Sequence, residues 1–344
     1  MKRVGILTGG GDAPGLNAVI WAVVRKGTKK GLEIFGLKDG WRGILKGEGE
    51  VLTPQDVEDI QRTGGTILGT SRTNPFKEEN GPEKVKENFK KLSLDALIAV
   101  GGEDTLGVAN RLIKEYGLPI VGVPKTIDND LSATDYTFGF DTAINIVTEA
   151  LDRLHTTTKS HHRVMVVEIM GRHAGWITLF GGLSGGAHII IIPEEPFDLN
   201  ELCEEIKRRK EAGKDYTIIA VSEGAVPKEG QKFVTQEEGT DAFGHIRLGG
   251  IARALEKEIK ERTGLETRHV ILGHLQRGGA PTAFDRVLGI RLGLKAVDMI
   301  LNEKFGYMAA LRGTEIVEVP LEEAVGRLKT VSSDLWSEIK EVLE

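Results

Sequence analysis

The sequence predicts an α/β fold: two Rossmann-like three-layer domains with mostly parallel sheets, and an active site in the cleft between them. Three observations carry this expectation. Apolar, β-rich runs recur at Val4–Thr8, Ile34–Leu37, Ala96–Val100, Ile120–Val123, Val164–Ile169, Ala187–Ile192, Thr217–Ser222 and His269–Leu272. Helical patterns separate them at Leu16–Lys30, Asp56–Arg62, Glu83–Leu92, Thr142–Thr156 and Ile246–Arg262. Strands that are apolar on both faces and alternate with helices belong in parallel sheets covered on both sides. Finally, the 44 glycines cluster at the ends of the apolar runs, as tight strand-to-helix loops require.

A chain of 344 residues suits two domains or one large α/β unit. No Pro- or Ser-rich linker marks a boundary. The long helical pattern after "YTFGFDTA" (136–143) suggests a break there, with the helix near 246–262 returning the chain to the first domain. The expected division is 1–139 plus 252–305, and 140–251 plus 306–344. The last segment ends in an amphipathic helix, Ser333–Leu343, read as packing or interface.

Net charge and cysteine content narrow the function. A formal charge of −6 argues against general nucleic-acid binding, whose footprint is basic. Cys203 is the single cysteine, so no intrachain disulfide forms, and its amphipathic surroundings "NELCEEIKRR" point to a packing role. The apolar run in "MKRVGILTGG" is too short for a signal peptide and reads as the first strand. No stretch reaches the ~18 apolar residues of a membrane helix, so a soluble, cytoplasmic protein with no membrane partner is expected.

The strand ends carry the candidate chemistry, as ligand sites do in such sheets. "TGGGDAPGLNAVI" joins the first strand to a helix beginning near Leu16, so unpaired N–H groups and a helix dipole face the loop. It has neither the G-K-[ST] of a Walker A loop nor G-x-G-x-x-G spacing, and is an anion site or a plain tight turn. "GGTILGTSRTNPF" (64–76) presents Arg72, either a solvated charge or a phosphate clamp. "GGEDT" (101–105) places two acids, Glu103 and Asp104, after a glycine pair. "VPKTIDNDLSATD" (123–135) offers Lys125, Thr126, Asp128 and Asp130 within six residues. Phosphoryl transfer needs a cation, a carboxylate base and metal neutralisation, whereas the bland alternative is an Asx-rich turn. "HHRVMVVEIMGRHAGW" sets Arg163 before a strand and Met170, Gly171 and Arg172 after it. An arginine at a helix N-terminus opposes the dipole unless an anion binds there. "VSEG" ends a strand with Glu223, either a sugar-hydroxyl ligand or a surface or capping acid. "RHVILGHLQRGG" brings Arg268 before a strand and His274 and Arg277 after it, a cationic pocket. The histidines lack zinc-site spacing.

In their order, "GGGDAPGLNAVI", "GGTILGTSR", "GGEDTL", "PKTIDND", "MGRHAGW" and "LGHLQRGG" make the chain similar to the 6-phosphofructokinase family over roughly residues 1–305. The resemblance implies a glycolytic, Mg²⁺-dependent phosphotransferase acting on fructose 6-phosphate. By position, Asp128 corresponds to the general base, with Thr126 and Asp130 supporting it. Arg172 and Arg72 correspond to stabilisers of the transferring phosphoryl group, and Gly11 approaches the donor. Met170, Gly171 and Glu223 contact the sugar. Arg163 and Arg268 bind its 6-phosphate from across a subunit interface, with His274 and Arg277 on the near side. A shared site implies a homodimer or homotetramer. The first domain would bind the phosphoryl donor and the second the sugar phosphate. Glu103 takes the Mg²⁺-associated position, where many members have aspartate.

Two donors occur in this family, ATP and inorganic pyrophosphate. ATP users have glycine after the metal acid; pyrophosphate users have aspartate there and lysine before "TIDND". Asp104 and Lys125 favour pyrophosphate, with ATP the alternative. A carboxylate at 104 adds bulk and charge where an α-phosphate would lie, and Lys125 suits a compact polyanion. Trp21, Pro54 and His155 stand near positions where allosteric members carry basic residues, although Arg25 persists. Weak regulation is expected.

Overall fold

The computed structural model describes residues 2–228, 236–240, 246–248 and 250–343. The first half alternates β1 (Arg3–Thr8), α1 (Leu16–Lys29), β2 (Glu33–Leu37), α2 (Trp41–Lys46) and β3 (Gly49–Leu52). It continues through α3 (Gly81–Lys91), β4 (Ala96–Gly101), α4 (Glu103–Tyr116) and β5 (Ile120–Pro124). The second half holds α5 (Phe140–Ser160), β6 (Val164–Ile169), α6 (Trp176–Ser184), β7 (Ile189–Ile191), α7 (Leu199–Glu211) and β8 (Thr217–Ser222). An antiparallel pair, β9 (Gln236–Thr240) and β10 (Ile246–Leu248), precedes α8 (Ile251–Thr263) and β11 (Thr267–Ile271). The chain ends with α9 (Ala283–Leu301), β12 (Tyr307–Arg312), β13 (Glu315–Pro320), α10 (Leu321–Val325) and α11 (Ser333–Leu343).

Two main sheets result. A seven-stranded sheet has the order β13-β12-β5-β4-β1-β2-β3, parallel except for β3 and β13 at its edges. A four-stranded sheet, β11-β6-β8-β7, is parallel throughout. β1, β4, β5, β6 and β8 are buried along most or all of their length, which is why they read as unbroken apolar runs. α1 turns Leu16, Val19, Ile20 and Val23 into a core shared with Leu288, Leu292 and Ala296 of α9.

Strand pairing exchanges two segments relative to the expected division. Thr267–Ile271 pairs with Val164–Ile169, and α8 packs Ile251, Leu255 and Ile259 against Val164 and Ile219, so 251–271 joins the second sheet. The hairpin Tyr307–Pro320 extends the first sheet beside β5, not the second. Its inner strand, "YMAALR", is short and alanine-rich, which hides it from β propensity; burial of Met308, Ala309, Ala310 and Leu311 makes it a strand. Ser333–Leu343 is helical as expected.

Two expected helices also differ. Thr53 donates from its backbone N–H and its hydroxyl to Asp56 at 2.7 and 2.6 Å, and Asp59 adopts φ 62°. That local chemistry leaves a turn and a short 3₁₀ segment, Ile60–Arg62, in place of a helix over 56–62. The pattern at 246–262 divides into β10 and a helix from Ile251; Gly249 lies outside the described residues. The Glu168 side chain, buried in β6, accepts from the N–H groups of Gly250 and Ala252 and fixes that helix start.

Asp285 in α9 is fully buried and accepts from Thr142 N and Oγ1 at 2.7 and 2.6 Å, tying α9 to the first turn of α5. Asp285→Ala leaves both donors unsatisfied and is expected to destabilise the protein by about 2–4 kcal/mol, read as a lower guanidinium midpoint with unchanged far-ultraviolet circular dichroism.

Candidate active site

In the larger sheet the chain proceeds from β1 outward to β2, and from β4 the other way to β5. The order therefore reverses between β1 and β4, where open α/β sheets form their ligand crevice. Gly9–Gly11 and Gly101–Asp104 leave those two strands. The helices that follow differ in what their amino ends hold. α4 begins with Glu103 and Asp104, so its own acids occupy the positive end of the dipole. α1 has no acid in its first turn and no side-chain cap, leaving its N–H groups open to an anion. The adjacent acids at 103–104 thus have a local electrostatic reason to coexist.

Lys125 and Arg277 flank the glycine loop. Lys125 is 3% exposed, and its ammonium donates to Gly11 O. Arg277 Nη1 donates to Asp12 O at 3.3 Å. A Cβ on Gly11 would stand 2.7 Å from that Nη1, so glycine there makes room for the guanidinium. Burial, then Arg277, lowers the Lys125 pKa to about 8, while Asp12, Asp130 and Asp128 oppose the shift.

Asp128 faces both cations. Its Oδ1 is buried and accepts no hydrogen bond, while its backbone N–H donates to Thr126 Oγ1 at 3.1 Å. Burial pushes the carboxyl pKa up to about 7; Asp130 and Glu223 add to the rise, and Arg277 and Lys125 restrain it. Thr126, Asp128 and Asp130 lie in the irregular chain between β5 and α5.

The second sheet contributes its carboxyl ends. Glu223 N–H donates to Ile169 O at 2.8 Å, and burial raises the side-chain pKa while Arg172 and Arg277 oppose that rise. Met170 N–H donates to Gln276 Oε1 at 3.2 Å. Gly171 has φ 143°, and a Cβ there would meet Ser222 Oγ at 2.7 Å. Arg172 precedes the first helical residue, Trp176, by four positions and lies in the connecting loop.

Most of the candidates therefore fall into two groups. Lys125, Asp128, Asp130, Glu223, Arg172 and Arg277 interact electrostatically around one cleft, beside Gly11, Thr126, Met170 and Gly171. Arg163 and Arg268 stand at the amino ends of β6 and β11, a strand length, roughly 17 Å, from Ile169. There both guanidinium groups bond to Glu266 Oε1, at 3.0 and 2.9 Å. Arg72, Glu103 and His274 are exposed, and Asp104 is half-buried. Residues missed in the sequence include Asp12 beside Lys125, buried Gln276 within "LGHLQRGG", and Glu266. Gln276 and Asp12 lie inside motifs already singled out; nothing in the pattern points to Glu266.

A switch-point crevice with an open helix amino end, two cations and a desolvated acid defines an α/β enzyme that handles phosphorylated ligands. The chain belongs to the phosphofructokinase family, which matches residues 3–300. It is 59% identical to the pyrophosphate–fructose 6-phosphate 1-phosphotransferase of Amycolatopsis methanolica, over 98% of both chains. It is 52% identical to ATP-dependent 6-phosphofructokinase 3 of Streptomyces coelicolor, over 99% of this chain and 100% of that one. Among solved structures, the phosphofructokinase of Pichia pastoris superposes with a TM-score of 0.84 at 34% identity. That match spans 94% of this chain and 35% of the longer yeast chain.

Gly11→Ala is expected to push the Arg277 guanidinium out of the loop and weaken inorganic phosphate and pyrophosphate binding by about tenfold. Isothermal titration calorimetry measures this; unchanged affinity would show that the guanidinium position is irrelevant to anion binding.

Proposed function

We propose that this chain transfers a phosphoryl group from pyrophosphate to the 1-hydroxyl of fructose 6-phosphate, giving fructose 1,6-bisphosphate and phosphate, reversibly. The observation that carries the reading is the Asp128 carboxylate, desolvated, with an unpartnered buried oxygen and two cations beside it. Asp128 takes the hydroxyl proton as the sugar oxygen attacks the terminal phosphorus, and the bond to the bridging oxygen breaks to release phosphate. Lys125, Arg277 and the amino end of α1 hold the compact donor polyanion. Arg172 and Arg72 meet charge on the transferring group, with Thr126 and Asp130 fixing the acid loop. Met170, Gly171 and Glu223 contact the sugar.

Mg²⁺ is proposed to enter this site with the donor phosphates. Among the described residues no three His, Cys, Asp or Glu side chains gather into a protein cage. Magnesium in phosphoryl-transfer sites is held by one or two carboxylates together with substrate phosphates. Glu103 is the carboxylate proposed to hold it, and the ion neutralises donor charge when bound.

Arg163 and Arg268, distant from their own cleft, are proposed to bind the 6-phosphate in a neighbouring subunit, with His274 on the near side; Arg277, expected beside His274, lies instead against Gly11 and Asp12 and is assigned to the donor. Exposed apolar side chains at Ile271, Leu275, Phe284 and Val287 support an interface in that region and an assembly of two or four copies. No helix among the described residues is long and apolar enough to cross a membrane. A cytoplasmic location is proposed, with neither nucleic acid nor membrane as a partner. Weak regulation fits two observations: the Arg25 guanidinium stacks over Trp21, and His155 bonds to Tyr216 and Gly185.

Coupled assays with each donor test the reading, and ATP turnover equal to pyrophosphate turnover would overturn it. Asp104→Gly, alone or with Lys125 replaced, is expected to improve ATP affinity; no gain would refute the proposed role of that carboxylate in excluding nucleotide. Asp128→Ser is expected to retain substrate binding while lowering kcat by about 10²–10⁴-fold. In the parent enzyme the forward reaction needs ionised Asp128, so its rate rises with pH through about 7. The reverse reaction needs the protonated acid, so its rate falls through the same region. Stopped-time assays in both directions check these mirror-image limbs.

A further inference from the structure

The acid loop between β5 and α5 has no regular structure of its own, and two of its residues, Asn129 and Ala133, sit in the left-handed region at φ 51° and 64°. Internal bonds brace it in part: Thr137 N–H donates to Asn129 Oδ1 at 3.1 Å, and Thr137 Oγ1 to Thr126 O at 2.7 Å. A second brace comes from far along the chain. Residues 326–332, between α10 and α11, cross behind the loop and lie outside the stretch matched to the family. Lys329 N–H donates to Asp130 O at 2.8 Å. Its ammonium donates to three oxygens of the same loop: Asn129 Oδ1 at 3.1 Å, Thr134 O at 2.9 Å and Asp135 O at 2.8 Å. All three of its N–H bonds are thereby committed to one loop, the arrangement by which a bound cation organises converging carbonyls.

The same residue reaches the second sheet. Lys329 O accepts from Trp176 Nε1 at 2.9 Å, and the ammonium lies 5.8 Å from the Trp176 ring. Two residues on, Val331 N–H donates to Glu194 Oε1, which also accepts from Gly175 N–H, both at 2.9 Å. Gly175 caps α6 and Trp176 begins it, three and four residues after Arg172. One short strap therefore grips the Asp128–Asp130 loop and the Arg172 segment together.

We propose that Lys329 is a positioning residue for phosphoryl transfer. It holds the acid loop in register, and through its carbonyl and Trp176 it keeps that loop aligned with the arginine of the opposite sheet. A group that orients without touching substrate acts on the alignment of reacting atoms, so its removal lowers turnover more than affinity. The proposal rests on the reading of Asp128 as the base.

The test compares Lys329→Met with Ile339→Ala, which removes buried volume from α11 and leaves every hydrogen bond of Lys329 in place. Steady-state kinetics are measured well below both melting temperatures. Lys329→Met is expected to lower kcat about 10–100-fold, with KM for fructose 6-phosphate and pyrophosphate within about threefold of the parent. Ile339→Ala, with a comparable loss of melting temperature, is expected to keep kcat within about twofold. Trp176→Phe is expected to lower kcat about three- to tenfold, again with little change in KM. Parental kcat in Lys329→Met, or an equal fall in Ile339→Ala, overturns the proposal. Should Lys329→Met fail to fold, Lys329→Gln, which keeps fewer donors and no charge, carries the same comparison. Asp128→Ser separates the two layers: turnover retained there removes the base assignment. An inert Asp128→Ser beside a fully active Lys329→Met removes only the role of Lys329.

Discussion

The constraint on which the site depends is the balance of charge in a partly buried crevice. Asp128, Asp130, Glu223 and Asp12 lie within electrostatic reach of two cations, Lys125 and Arg277. Burial alone would neutralise acids and cations alike. Together they bring the Asp128 acid and the Lys125 ammonium to within about one pH unit of neutrality from opposite sides. A carboxylate so placed gives and takes a proton with little bias, which suits a reversible transfer. The same balance explains why the glycine loop is so restricted: a side chain at Gly11 would displace one of the cations that sets it.

Keeping such a crevice in shape falls to contacts between distant parts of the chain. Its walls come from the carboxyl ends of two separate sheets. Buried Asp285 joins α9 to α5, Gln276 joins the short helix after β11 to the end of β6, and the strap 326–332 joins the acid loop to α6. Each bond spans elements whose strands belong to different sheets or whose loops lack regular structure. The cleft is therefore held by a few polar contacts at its rim and by the apolar cores beneath each sheet.

Much of this is legible in the sequence. Parallel strands covered on both faces must be apolar throughout, so β1, β4, β5, β6 and β8 announce themselves; the alanine-rich β12 and the exposed β3 do not. Glycine loops and the acid-rich turn stood out because few other roles require those residues at strand ends. Partnerships were not legible. Arg277 and Asp12 are 265 positions apart, and Lys329 is an unremarked lysine in "GRLKTVSS". Residue type and spacing describe what a segment does locally; which segments meet is decided by strand order, and here the order of two C-terminal segments was exchanged. The acids at 103–104 illustrate the reverse case. Their meaning looked purely functional in sequence, and the helix they begin supplies a local physical reason for both.

The edges of the large sheet have a consequence of another kind. Its outer strands, β3 and β13, are the antiparallel ones. β3 carries Glu50 and is followed by Thr53-Pro54; β13 carries Glu315 and Glu318 and ends in Pro320. An exposed strand edge is a template on which another chain can add a strand, and acids and prolines there discourage it. The hairpin added beyond β5 thus does more than widen the sheet. It moves the apolar β5 into the interior and leaves a charged border, so that this sheet is guarded against joining another copy through its backbone.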